Sequence, residues 1–122
     1  MAMLLVSHDL AVVAETCDQV AVMYAGRIME SASTKALFDA PMHPYSVGLM
    51  NSIPDMGGAA ERLVPISGQP PDLLHLAPGC PFAPRCAHAS PDCSATPIAL
   101  REVAPGHHTA CLYPERITRG AP

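Results

Sequence analysis

Cys80, Cys86, Cys93 and Cys111 lie in one proline-rich stretch, separated by five, six and seventeen residues. Thiolates gathered this way can pair as disulfides, exchange electrons, or bind metal. The N-terminus, Met1 to Asp9, has neither the basic start nor the long apolar centre of an export signal. The chain is therefore expected in the cytosol, where disulfides are rare. A thiol redox enzyme needs a reactive low-pKa pair such as Cys-x-x-Cys, and the sequence has none. Four thiols in a segment stiffened by Pro81, Pro84, Pro91 and Pro97 suggest a preorganised metal site instead. A short tail without a large core also gains folding free energy directly from bound metal.

Structural zinc is usually gripped by Cys-x₂₋₄-Cys knuckles, two thiolates from one turn on one ion. The spacings here are wider. They suit a larger object whose corners different thiolates can reach, as in a four-cysteine iron–sulfur cluster. Spacing thus favours a cluster modestly and leaves zinc open, with merely packed or paired thiols as the reading without metal. His107 or His108 could replace one thiolate, although two adjacent histidines read more simply as surface polarity. Cys17 falls on the apolar stripe of a helix and is expected in the core.

A second group with chemical potential is Ser7-His8-Asp9, directly after the apolar run Met3 to Val6. Such a run suits a parallel strand buried on both faces, and open α/β sheets bind ligands at the carboxyl ends of their strands. An imidazole placed there could hydrogen-bond a terminal phosphate and sense its loss. The three residues are not a hydrolase triad, whose members converge from separate segments. No glycine-rich phosphate loop precedes Lys35, the single lysine. No Ser-Gly-Gly motif occurs, and no apolar strand ends in Asp-Glu. Hydrolysis of a nucleotide by this chain alone is not expected.

The elements that must position these groups read as α/β. Leu10, Val13, Ala14 and Cys17 mark one face of a helix, capped by Ser7 or Asp9. Val20–Tyr24 and Arg27–Glu30 read as strands joined by Ala25-Gly26. Thr34–Ala40 forms a short helix closed by Pro41. Pro44 opens another, through Tyr45, Leu49 and Ile53 to Pro54. Residues 54–79 read as an irregular connector with a short strand at Arg62–Ile66, and the cysteine tail as irregular throughout. A boundary is placed near residue 54. Met3–Val6, as an interior strand, is expected to leave at least one edge unpaired, an aggregation hazard.

Bulk composition narrows the function. Hydrophobic residues make up 49% of the 122, enough for a core, although aromatic residues supply 4% and Trp is absent. The net charge is −4, with seven scattered Lys and Arg, which argues against nucleic acid as a partner. No apolar run approaches a membrane span.

Three motif groups together resemble one family. They are Ser7-His8-Asp9-Leu10 followed by Val22-Met23-Tyr24-Ala25-Gly26-Arg27-Ile28; His43-Pro44-Tyr45 closed by Ile53-Pro54; and Gly79-Cys80-Pro81-Phe82-Ala83-Pro84-Arg85-Cys86, Pro91-Asp92-Cys93 and Pro105-Gly106-His107-His108-Thr109-Ala110-Cys111. The resemblance, from about Met3 to Pro114, is to the ATP-binding subunits of bacterial oligopeptide/dipeptide (peptide/nickel-type) ABC importers. It implies that residues 1–54 are the C-terminal end of a P-loop ABC ATPase domain and 55–122 a C-terminal extension. His8 would be the switch histidine that contacts the γ-phosphate in the closed dimer. In some members four such cysteines hold a 4Fe–4S cluster, which here implies Cys80, Cys86, Cys93 and Cys111. His43 is assigned no chemistry.

The same resemblance implies ATP with Mg as a cofactor of the intact ATPase, whose phosphate loop, signature and magnesium-binding strand lie upstream of the histidine. It implies a second ATPase subunit and transmembrane permease subunits as partners, at the inner face of the cell membrane. The cargo would be di- or oligopeptides, or else nickel. The alternative from another class is a standalone module that binds zinc or an iron–sulfur cluster and no nucleotide.

Overall fold

Two residues with positive φ initiate the sheet in the computed structural model, which describes residues 2–51, Ile66 and residues 68–117. Ala25 (52°) and Gly26 (77°) form the two-residue turn whose twist matches antiparallel strands. Gly26 adopts this conformation freely, whereas Ala25 does so at about 1 kcal/mol. The turn joins β1 (Gln19–Tyr24) to β2 (Arg27–Ser33). Val22 faces Glu30 and Met23 faces Ile28, so Met29 is the extra residue of a bulge. A bulge breaks the alternation of a strand, and here Met29 and Glu30 are buried side by side.

The cysteine-bearing half completes the same sheet. β3 (Arg101–Ala104) and β4 (His107–Thr109) form a second antiparallel hairpin, with Gly106 at φ 71° in its turn. β4 then pairs with β2, Glu30 opposite Thr109 and Ser31 opposite His108. The strand order is β1-β2-β4-β3, so the sheet joins residues on both sides of position 54. The architecture is α/β with an antiparallel four-stranded sheet. The expectation of a wholly irregular tail misses β3 and β4, because prolines at its edges mask a pairing whose partner lies far away in sequence.

Helices pack on this sheet much as the sequence suggests. Ser33 Oγ accepts the Ala36 N–H at 3.2 Å and caps α2 (Thr34–Asp39), which buries Leu37. Pro44 opens α3 (Pro44–Asn51), which buries Ser46 and Val47. One apolar cluster joins Val22, Ala32 and Leu37; another joins Tyr24, Met29, Phe82 and Ala110, and Tyr45 packs against both. The Tyr24 and Phe82 rings meet edge-on with centroids 5.3 Å apart, a favoured aromatic geometry. Ile53, Pro54 and residues 62–65 of the expected short strand lie outside the described residues.

The N-terminal expectation is corrected. Met3–Val6 forms no strand, and Leu4 and Val6 are 90% and 89% exposed. A strand buried on both faces needs sheet neighbours and covering layers, and the described residues supply neither. α1 (Leu10–Thr16) does form, capped by Asp9 Oδ1 accepting the Ala11 N–H at 3.0 Å and the Val12 N–H at 3.3 Å. Its expected stripe is reduced to Val13. Ala14 is exposed, and Cys17, expected in the core, is half-buried at the C-cap.

Candidate metal-binding centre

Backbone bonds bring Cys80 and Cys93 together. The Cys80 N–H donates to the Cys93 carbonyl at 2.7 Å and the Gly79 N–H to the Ser94 carbonyl at 2.9 Å. The crossing is close: a Cβ on Gly79 would stand 2.2 Å from the Cys93 carbonyl oxygen. That position must be glycine unless the backbone shifts. Cys93 sits in α4 (Pro91–Ala95), and Cys86 ends a 3₁₀ turn over Ala83–Arg85. Cys111 follows β4, where the Ala110 N–H donates to the Met29 carbonyl at 2.7 Å. Arg101 Nη2 donates to the Cys111 and Leu112 carbonyls, both at 3.1 Å.

All four thiols line one small, partly enclosed cavity of about 30 Å³, together with His43, Pro44, Phe82, Ala83, His88, Leu112 and Tyr113. All five cysteines of the chain are free. Cys86 Sγ accepts the His88 N–H and Cys93 Sγ the Ser90 N–H, each at 3.4 Å. The backbone at Phe82 and Ala83 serves Cys80 in the same way, and that at Tyr113 serves Cys111. Backbone N–H groups aimed at sulfur favour the thiolate over the thiol, and the thiolate is the form that binds metal.

Burial works against them. It pushes the Cys80 and Cys86 thiols up, and Cys111 up to about 11, and the neighbouring thiols push the same way. Free thiols so raised are poor nucleophiles. Among the described residues, no three His, Cys, Asp or Glu side chains are grouped closely enough to hold a metal ion. The donor set is four sulfurs spread around a cavity, with backbone N–H groups serving each. Sulfur is the donor type that both an iron–sulfur cluster and structural zinc take.

Two histidines depart from the sequence reading. His107, read as surface polarity, is 4% exposed, and its Nε2 bonds Glu30 Oε2 across β4 and β2. The same carboxylate oxygen accepts the Met42 N–H at 2.7 Å, while Oε1 is buried with no hydrogen-bond partner. His108 is the more exposed of the two, its Nε2 3.4 Å from Glu102 Oε2. His43, assigned no chemistry, is 1% exposed and lines the thiol cavity. Its Nδ1 accepts the Tyr45 N–H at 3.0 Å, and its Nε2 lies 3.9 Å from Cys80 Sγ. Desolvation holds this imidazole down at about 4, opposed by a backbone hydrogen bond at Ala110. The signal that could have found it was the motif itself, a histidine fixed by the proline that starts α3.

His8 lies elsewhere. It is exposed just ahead of α1, between Ser7, whose Oγ accepts the Asp9 N–H at 2.9 Å, and the Asp9 cap. It does not line the thiol cavity.

Residues 29–93 match the family model described as oligopeptide/dipeptide transporter, C-terminal region. The match covers more than half of the chain, and the chain belongs to that family. Among curated relatives, it is 49% identical over 113 residues to the oligopeptide transport ATP-binding protein OppD of Escherichia coli, covering 93% of this chain and 33% of that protein. The Haemophilus influenzae OppD is 54% identical over 96 residues, which is 79% of this chain and 30% of the relative. For the Mycobacterium tuberculosis OppD the figures are 48% over 116 residues, 94% and 19%. The chain thus spans a third or less of the length of these relatives. No helix among the described residues is long and apolar enough to cross a membrane.

Proposed function

We propose that this chain supplies the C-terminal part of an ATP-binding subunit that energises ABC-type import of oligopeptides. The observation that carries the reading is near-half identity to three such proteins, over 93% of this chain in the first case. In this reading residues 1–54 end the nucleotide-binding domain and 55–122 form its extension. The working unit pairs with a second ATPase subunit and with transmembrane permease subunits at the inner membrane face. Apart from the contact proposed for His8, ATP with Mg is bound by other parts of the subunit. His8 contributes the contact to the γ-phosphate; its exposure ahead of α1 leaves the ring available to a nucleotide held by another surface.

Cys80, Cys86, Cys93 and Cys111 hold a 4Fe–4S cluster in the same reading, with a single zinc ion as the competing occupant. The support is that four free thiols line one cavity, each served by backbone N–H groups. Bound there, the cluster would cross-link the loop, α4 and the end of β4, a tail with little apolar core of its own. The chain's own part is to desolvate the thiols, fix their spacing through Gly79, and hold Cys111 in place through the β2–β4 pairing.

A chimera tests the transport reading. This chain would replace the aligned segment of the Escherichia coli OppD, and peptide uptake would be measured in cells lacking the native protein. Uptake that survives the exchange and is lost on His8→Ala supports the assignment. A stably produced chimera without uptake, or one indifferent to His8→Ala, overturns it. Iron, acid-labile sulfide and zinc in anaerobically purified protein test the metal. About four irons and four sulfides per chain, lost on Cys86→Ser, is the expected result. About one zinc without sulfide replaces the cluster by a structural ion.

A further inference from the structure

We propose that residues 112–116 form a strap that gates the thiol cavity, detaching locally from the segment His88–Asp92 while the rest of the fold stays closed. The inference concerns the way into the cavity and needs no metal there. Leu112 and Tyr113 supply part of the cavity wall. His43, Phe82 and Ala83 supply another part and are 1%, 3% and 6% exposed. The strap is anchored far less deeply. Its 3₁₀ turn, Pro114–Arg116, has no buried residue and no side-chain cap.

A short set of polar side-chain ties holds the strap down. The Tyr113 hydroxyl donates to Asp92 Oδ2 in α4. The Arg116 guanidinium lies over the Tyr113 ring, 3.7 Å from its centroid. Its Nη1 donates to the Ser90 hydroxyl and, at 3.4 Å, to the His88 carbonyl. The other end is fixed, because Arg101 holds the Cys111 and Leu112 carbonyls and Ala110 is bonded to β2. The strap thus has a hinge at Leu112 and a latch at Arg116. The latch grips the very segment that serves the thiols: the His88 N–H donates to Cys86 Sγ and the Ser90 N–H to Cys93 Sγ.

Segments with few buried apolar contacts and exposed hydrogen bonds open locally, at a cost well below that of global unfolding. The strap is such a segment. The wall at Phe82 is not, because that ring packs on Tyr24 and Tyr45 with centroids 5.3 Å apart in each pair. With the strap closed, the cavity of about 30 Å³ has room for little more than water. A larger reagent or an incoming ligand therefore reaches the sulfurs through the open form, and its rate follows the open population. Each tie contributes modestly, so removing one should raise that population about fivefold.

The experiment uses the full chain as purified, kept reduced, and follows alkylation by iodoacetamide at each cysteine by peptide mass spectrometry. Cys17, which does not line the cavity, is the internal reference. Tyr113→Phe and Arg116→Ala should each speed alkylation of Cys93 and Cys111 about fivefold, with Cys17 unchanged. Loss of the arginine charge by itself would slow the reaction, since a nearby cation favours the thiolate, so acceleration reports opening. A second readout needs no variant. In wild type the Arg116 and Ile117 amides, bonded to the Tyr113 and Pro114 carbonyls at 3.0 and 3.1 Å, should exchange with deuterated water at least about tenfold faster than the Ala110 amide, bonded to Met29. Unchanged alkylation in both variants, or strap amides as protected as Ala110, overturns the gate. Equal acceleration at Cys17 would mean that the ties hold the whole fold, and overturns it as well.

Discussion

The two candidate sites are held in opposite ways. His8 stands in water ahead of α1, with a turn behind it and Val13 as the buried residue of the helix. The cysteines are enclosed by a turn, a short helix and a strand drawn from over 30 residues of chain, and each sulfur is served by the backbone. The difference bears on the roles proposed for the two sites. The metal centre proposed for the cysteines draws its donors from separate segments, so metal binding and folding there would be coupled. A phosphate sensor needs a ring in reach of a nucleotide that other surfaces hold.

The comparison can be broken most forcefully at Glu30. Removing its carboxylate leaves His107 and the Met42 N–H without their buried partner, which should destabilise the fold by about 3–5 kcal/mol. Urea unfolding of Glu30→Ala should show that loss, and metal uptake should fall with it, because β4 leads into Cys111. Next comes Gly79→Ala. Its new methyl would meet the Cys93 carbonyl, and the enforced shift should cost about 1–3 kcal/mol, read by the same unfolding curves and by a lower iron and sulfide content. Asp9→Ala sharpens the contrast: loss of the cap should cost about 1 kcal/mol, seen as reduced helicity by circular dichroism, with metal content unchanged. His8→Ala should be the mildest, within about 0.5 kcal/mol in stability, with no effect on metal uptake. A large stability loss there would mean that the histidine is structural, and the contrast between the sites would fail.

What was legible in the sequence was local. The Ala25-Gly26 turn and the flanking alternation place β1 and β2 within a few residues, and Ser33 and Pro44 mark two helix starts. The cysteine cavity was legible as a grouping, since proline spacing and thiol count point to convergence. What escaped depends on partners distant in the chain. Glu30 and His107 are 77 residues apart, and neither Arg101-Glu102-Val103-Ala104 nor His107-His108-Thr109 has the apolar alternation that announces a strand. Met29 and Glu30 are both buried because of a bulge, which no periodic pattern anticipates. The Met3–Val6 run misled for the converse reason: apolar composition reports a tendency to be covered, and no described element covers it.

The 77 residues between Glu30 and His107 also translate into time. At ribosomal rates of about 5–20 residues per second, β2 is complete roughly 4–15 s before β4 has been made. The first hairpin, which can close within about 10 μs, therefore spends that whole interval with one edge bare. The carboxylate of Glu30, sitting at that edge, is the sort of group that discourages pairing with the wrong strand. The buried partner of His107 is thus also a charged group on the strand edge that β4 comes to cover.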